Sequence, residues 1–98
     1  MASRIHRRKR AKTDVDSISA YIAADNGKAA EELLDRFSHA FEMLVQNPRA
    51  GRPRPDLGQN LRSFVAASYI IFYVPQSWGI DIVRVIHSRQ DVGPADVA

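Results

Sequence analysis

Apolar positions along this chain change their period twice, and the changes divide it into elements. From Thr13, Val15, Ile18 and Ile22 recur at spacings of three and four, with Tyr21 beside them. That period predicts a first helix over about residues 13–25, buried along one stripe. Thr13 or Asp14 is placed to cap it. Asp25-Asn26-Gly27 then breaks the pattern, because Asn and Gly tolerate the conformation a chain needs to leave a helix, and Asn26 can cap the next one. A second helix is expected over 27–47. Ala30, Leu33, Leu34, Phe37, Ala40, Phe41, Leu44 and Val45 form its apolar stripe, and Glu31, Glu32, Asp35, Arg36 and Glu42 lie opposite. Asn47-Pro48 ends it. The short break predicts that the two helices fold back on each other.

The period then shortens. Residues 48–60 carry three prolines, two glycines and three arginines, and read as a loop. Leu61–Val65 alternates. Tyr69–Val74 is a continuous β-branched and aromatic run, the signature of a strand covered on both faces. Ile80–His87 is again β-branched. Links of three and five residues predict antiparallel hairpins. Ser3–Arg8 is a weaker strand with one strongly apolar residue, Ile5. Trp78 is expected to fold back from its turn onto the sheet, and Tyr21, Phe37 and Phe41 to lie in the core. The expected fold class is α+β: an N-terminal strand, an antiparallel helical hairpin, then a three-stranded antiparallel sheet. One domain over 1–98 is expected, with loose tails at 1–2 and 92–98.

Charge adds a direction to this layout. Residues 1–12 hold six bases and no acid, residues 13–47 seven acids and two bases, and residues 48–98 six bases and four acids. Eleven of the fourteen bases are arginine, whose planar fork suits carboxylate and phosphate. With no cysteine there is neither a disulfide framework nor a thiolate zinc site, which fits a reducing cytoplasm. No apolar run is long enough to span a bilayer, and no signal-peptide core follows the basic start. His6 and His39 lack metal-ligand companions at useful spacing, so neither metal nor cofactor nor small-molecule ligand is expected.

The order of these elements resembles a known family. The stretch from Asp14 to Asn26 resembles the first helix and turn of ParE-like toxins of the ParE/RelE superfamily. Asn47-Pro48-Arg49-Ala50-Gly51-Arg52-Pro53-Arg54 resembles their inter-element loop. Leu61–Phe64, Tyr69–Tyr73 and Ile82–His87 resemble their three sheet strands. The resemblance covers residues 3–91. It implies a strand–helix–helix–three-strand fold and a cognate antitoxin whose acidic, partly disordered segment would bind the sheet edge and basic grooves. It also implies one of two targets: DNA gyrase, as in ParE-like members, or ribosome-bound messenger RNA, as in RelE-like ones. A third outcome is a relic that only binds its antitoxin.

The residues weigh these targets. Cleavage at a 2′-hydroxyl needs a base, a cation for the developing phosphate charge and an acid for the leaving oxygen. Arg62, Arg84 and Arg89 are candidate cations and His87 a candidate acid or base. A second proton-transfer group is missing, since no tyrosine or glutamate follows Tyr73. Strict alternation would group Arg84 with Ile80, Ile82 and Ile86, and His87 with Asp81, Val83 and Val85, on opposite faces. Arg52 and Arg54 sit in a proline-braced loop that lowers the ordering cost of presenting them. The expectation is therefore a gyrase-directed inhibitor, with Arg52, Arg54, Arg62, Arg84 and Arg89 as target- or antitoxin-binding residues.

Overall fold

The structure is a computed structural model that describes residues 4–98. Ser3 of the first expected strand, and the loose start at 1–2, lie outside the described residues. The chain runs β1 (Ile5–Arg7), α1 (Lys9–Ala23), α2 (Gly27–Gln46), β2 (Arg52–Pro53), β3 (Arg62–Ala66), β4 (Tyr69–Gln76) and β5 (Gly79–His87), and ends in a 3-10 helix (Pro94–Val97). The class is α+β, as expected, but the sheet is larger than the expected meander. It has five strands in the order β1-β5-β4-β3-β2. β3, β4 and β5 form antiparallel hairpins, and β1 pairs parallel with β5. β2 adds two residues at the far edge, where a proline costs no ladder hydrogen bond.

β4 is the central strand, and it is covered on both faces. Its Ile71 and Tyr73 join Phe37, Phe41 and Leu44 of α2, with Ile80, Ile82 and Val85 of β5, in the core under the helices. Its Phe72 belongs to a second cluster with Leu57, Leu61, Val83, Ile86 and Val97 on the opposite face. The loop and the terminal 3-10 helix supply that second cover. The C-terminal tail is therefore not loose: Val97 is buried, and the Gly93 amide donates to Asp96 Oδ2 at 2.8 Å.

Three local expectations are corrected. Helix α1 starts at Lys9, four residues early, and its N-cap Arg8 gives no side-chain cap. Thr13 instead donates to the Lys9 carbonyl within the helix, and Asp14 turns away to β5. Tyr21 is 82% exposed and Trp78 47% exposed, so neither is core. For Tyr21 the reason is angular: it precedes Ile22, the last residue of the α1 stripe, by one position and points off it. Asn26 does cap α2, accepting from the Ala29 amide at 3.1 Å.

One glycine sets the pairing of the first strand. Gly79 has φ +153, and its backbone lies against the Arg4 carbonyl, which accepts from the Ile80 amide at 2.9 Å. A side chain at 79 would collide with that carbonyl and adopt a strained backbone conformation.

The two aspects of α2 separate in a mutational test. Phe41 is 2% exposed within the core, whereas Leu34 is only partly buried. Phe41→Asp buries an unpaired charge and is expected to cost more than about 4 kcal/mol, enough to abolish a cooperative thermal transition in a domain this small. Leu34→Asp should retain a transition at lower temperature. Equal melting of both variants would contradict this placement of the core.

Candidate functional site

The arginines singled out in the sequence do not converge. Arg84 lies at a break in the ladder, where Phe72 pairs with Arg84 but Tyr73 pairs with Ile82, so Val83 is an extra residue on β5. This bulge overturns the strict alternation: Val85 joins Ile80 and Ile82 under the helices, while Val83 and Ile86 face the other way. The Arg84 guanidinium forks onto Asp14 of α1, with Nε donating to Oδ2 at 2.7 Å and Nη2 to Oδ1 at 2.9 Å. Nη1 donates to the Asp96 carbonyl at 2.8 Å. Asp14 Oδ2 also accepts the Val85 amide at 3.0 Å. The side chains are only 14% and 15% exposed. Hydrogen bonding to Asp14 holds the Arg84 pKa above its ordinary value, against the opposing effect of burial. This is a structural tie, and it leaves Arg84 little freedom to meet a phosphate.

Arg62 is committed as well. Its Nη1 donates to the carbonyls of Gly51, at 2.6 Å, and Arg49, at 3.2 Å. It thereby holds the loop after α2. Tyr73 completes that hold from inside: its hydroxyl donates to the Pro48 carbonyl at 2.7 Å and accepts from the Gly51 amide at 2.8 Å. Gly51 packs so closely on the phenol that a Cβ there would collide with it. Burial pushes the Tyr73 pKa above its usual value of 10.0.

Arg54 reaches Asp56 with Nε at 3.2 Å and Nη2 at 3.1 Å, touches Ser63 Oγ with Nη1 at 3.4 Å, and lies 5.8 Å from the centre of the Phe72 ring. Its hydrogen bonds draw the Asp56 pKa down, with a smaller contribution from Arg52. The loop is therefore braced by its own ion pair as much as by its prolines. Around it opens a cleft of about 760 Å³ lined by Arg49, Arg54, Asp56, Leu57, Leu61 and Pro75, among others. Of the five arginines expected to meet a partner, Arg52 and Arg89 keep exposed side chains.

His87 stands apart from Arg62 and Arg84. Its Nδ1 accepts the Arg89 amide at 3.1 Å, which places the proton of the neutral ring on Nε2. The ring packs edge-on against Tyr69, centre to centre 5.1 Å. Arg62 and Arg84 sit on strands separated by β4, about 10 Å apart at the backbone by sheet spacing. Each guanidinium turns to a different neighbour, so no shared phosphate site forms from these three residues. Among the described residues no group of three or more His, Cys, Asp or Glu side chains could hold a metal ion, and no helix is long and apolar enough to cross a membrane.

Sequence reasoning missed three residues that organise this surface: Asp14, taken for a cap; Tyr73, taken only for strand; and His6, which meets Asp81. No local signal marks them, because each finds its partner 22 to 75 residues away.

The fold and its braced loop define a class: a small α+β domain with a helical hairpin on one face of a mixed sheet. Known proteins narrow the class. The family described as ParE toxin of type II toxin-antitoxin system, parDE, matches residues 5–92. Toxin ParE3 of Caulobacter vibrioides is 29% identical over 90 residues, covering 91% of this chain and 90% of that protein. Toxin ParE1 of Mycobacterium tuberculosis is 39% identical over 64 residues, and the match spans 64% of this chain and 65% of that protein, just under two thirds of its length. A chain from the solved chromosomal ParDE TA system of P. aeruginosa superposes with a TM-score of 0.70 at 19% identity, covering 85% of this chain and 92% of that one. This chain belongs to the ParE toxin family of type II toxin–antitoxin systems.

Two measurements test the ties. Asp14→Ala leaves Arg84 without its carboxylate and frees the Val85 amide. It should cost about 2–4 kcal/mol by chemical denaturation, near what breaking a buried pair costs. A change below 0.5 kcal/mol, roughly the scatter of an inert surface substitution, would remove the pair from the list of ties. Tyr73 makes the second test. Its folded pKa is raised, so its contribution to stability is complete below the unfolded value of 10.0 and is lost as pH climbs through the folded one. Stability should therefore fall at alkaline pH above about 10, and Tyr73→Phe should flatten that fall while lowering stability at neutral pH.

Proposed function

We propose that this chain is the toxic member of a toxin–antitoxin pair, that a cognate antitoxin neutralises it, and that it acts in the cytoplasm on DNA gyrase as a protein inhibitor. One observation carries the target reading. Two of the three candidate cations for RNA cleavage are consumed inside the fold, Arg84 by Asp14 and Arg62 by the loop carbonyls, which leaves exposed Arg89 and the Nε2 side of His87 without a converging partner. A nuclease needs such groups within hydrogen-bond reach of one phosphate. An inhibitor needs only a complementary surface of fixed shape, and a loop tied down by Arg62 and Tyr73 is such a surface.

The antitoxin reading draws on the family and on the solved neighbour, which comes from a ParDE TA system. It is supported by the edge of the sheet. β2 covers β3 only at Arg62 and Ser63, leaving the backbone of Phe64–Ala66 unpaired on that side, with Val65 exposed. An extended segment can add there as a further strand. Arg52, on β2 beside it, would favour an acidic one.

The test is direct. Purified chain is added to gyrase and relaxed plasmid, with and without the small protein encoded beside it, and in parallel to translating ribosomes. Loss of supercoiling, restored by the neighbouring protein, with messenger RNA intact, is the expected result. Codon-phased cuts that vanish in His87→Ala would replace this reading with a ribonuclease. Normal growth and silence in both assays would leave an antitoxin-binding relic.

A further inference from the structure

The first strand carries a row of cations that none of these ties uses up. Ile5 packs toward the helices, and the Arg7 guanidinium lies 5.3 Å from the centre of the Phe41 ring, so residues 5 and 7 face that side. Residues 6 and 8 face the other. His6 Nδ1 lies 2.8 Å from Asp81 Oδ1, and Arg8 Nε donates to Asp81 Oδ2 at 2.9 Å. Asp81 itself is 8% exposed and stands between Ile80 and Ile82 of the helix-side core. One buried carboxylate thus fixes two outward side chains, and both stay accessible: His6 is 63% and Arg8 40% exposed. Arg4, one residue before the strand, continues the row and is exposed, as are Lys9, Arg10 and Lys12 just after it. No acid occurs among residues 4–13.

An aromatic ring stands at the end of this row. The backbone contact between Arg4 and Gly79 brings the β4–β5 turn beside Arg4, and Trp78 is in that turn. Trp78 is half exposed, and among the described residues no ring or cation lies against it. A row of basic side chains, two of them fixed by Asp81, leading to a half-exposed indole suits alternating phosphates and a base. We propose that the outer face of β1, together with the β4–β5 turn, binds single-stranded nucleic acid, its phosphates along Arg4, His6, Arg8 and Lys9 and one base stacked on Trp78.

An acidic peptide fits this surface less well. The row alternates basic groups along a strand, at a spacing that suits successive phosphates, and a lone flat ring serves any base equally. The duplex is a poorer fit too, because its bases are already stacked and the ring has nothing to receive. DNA and RNA share the recognised chemistry, and the experiment separates them. The inference is independent of the gyrase reading, since binding is measured with no gyrase present.

Trp78 is the only tryptophan in the chain, so its own fluorescence reports the contact. The full chain is titrated with twelve-residue oligothymidylate, the matching oligouridylate, a DNA duplex and polyglutamate. Single strands should quench Trp78. Affinity should fall with salt at a slope of about −2, as the three Arg and Lys contacts of the row, Arg4, Arg8 and Lys9, require at roughly −0.7 each. The ratio of DNA to RNA affinity then states which strand is preferred. With fluorescein-labelled oligonucleotide read by anisotropy, Trp78→Ala and Arg4→Glu should each weaken binding by about tenfold or more, while Trp78→Phe and the α2 control Arg36→Glu stay close to the parent. Circular dichroism confirms that each variant is folded. Absence of quenching at low salt overturns the proposal, as does equal binding by Trp78→Ala. Quenching by polyglutamate at equal charge overturns it in favour of an acidic protein partner.

Discussion

Strand β5 has to be covered along two edges, and the Asp14 carboxylate is what finishes the second. β4 pairs with one edge throughout. β1 pairs with the other only at Ile80–Ile82, and the Arg8 amide extends that cover by a single bond to the Ile82 carbonyl. Beyond the bulge the edge would be bare. Asp14 reaches down from α1, accepts the Val85 amide and forks with Arg84, which in turn takes the Asp96 carbonyl from the terminal 3-10 helix. Three parts distant in the chain meet at this one polar junction. Because it is largely shielded from water, its strength depends on every partner being present.

That junction also governs what the surface has left to offer. A basic protein of this size looks equipped to grip anions almost anywhere. Three of the six arginines on the β-rich half, Arg54, Arg62 and Arg84, are instead engaged with carboxylates or backbone carbonyls of the chain itself. They give the loop and the tail a fixed form. A second group of cations gathers at the opposite end of the sheet, around β1, where Asp81 fixes Arg8 and Arg4, Lys9, Arg10 and Lys12 stay exposed. The molecule thus sets a loop and tail held by their own arginines against a basic strand, with the acidic helical hairpin between them in sequence.

How much of this the sequence discloses depends on range. The helices, the capping by Asn26 and the covered centre of β4 follow from spacing, which is a local property. The start of α1 was misplaced because Lys9–Lys12 hold only Ala11 to mark a stripe, and a small residue leaves little amphipathic trace. The faces of β5 were misassigned because a bulge is invisible to alternation. The parallel pairing of β1, the ties of Asp14 and Tyr73, and the His6–Asp81 pair all join residues far apart, where one chain alone gives no rule for choosing partners. Candidate chemistry was legible as residue types, and its dispersal was not.

The bond between β1 and β5 carries a consequence for how the molecule comes into being. Ile5 lies against Ile80, so the first strand synthesised waits for the last one to emerge before it has a neighbour. Asp14 likewise waits for Arg84. Contacts of such long range are made late and slowly. The nascent chain can form its helical hairpin early, but it cannot close its sheet until β5 has emerged. A ribosome that stalls before β5 therefore releases a fragment whose first strand has no neighbour and whose Asp14 has no arginine.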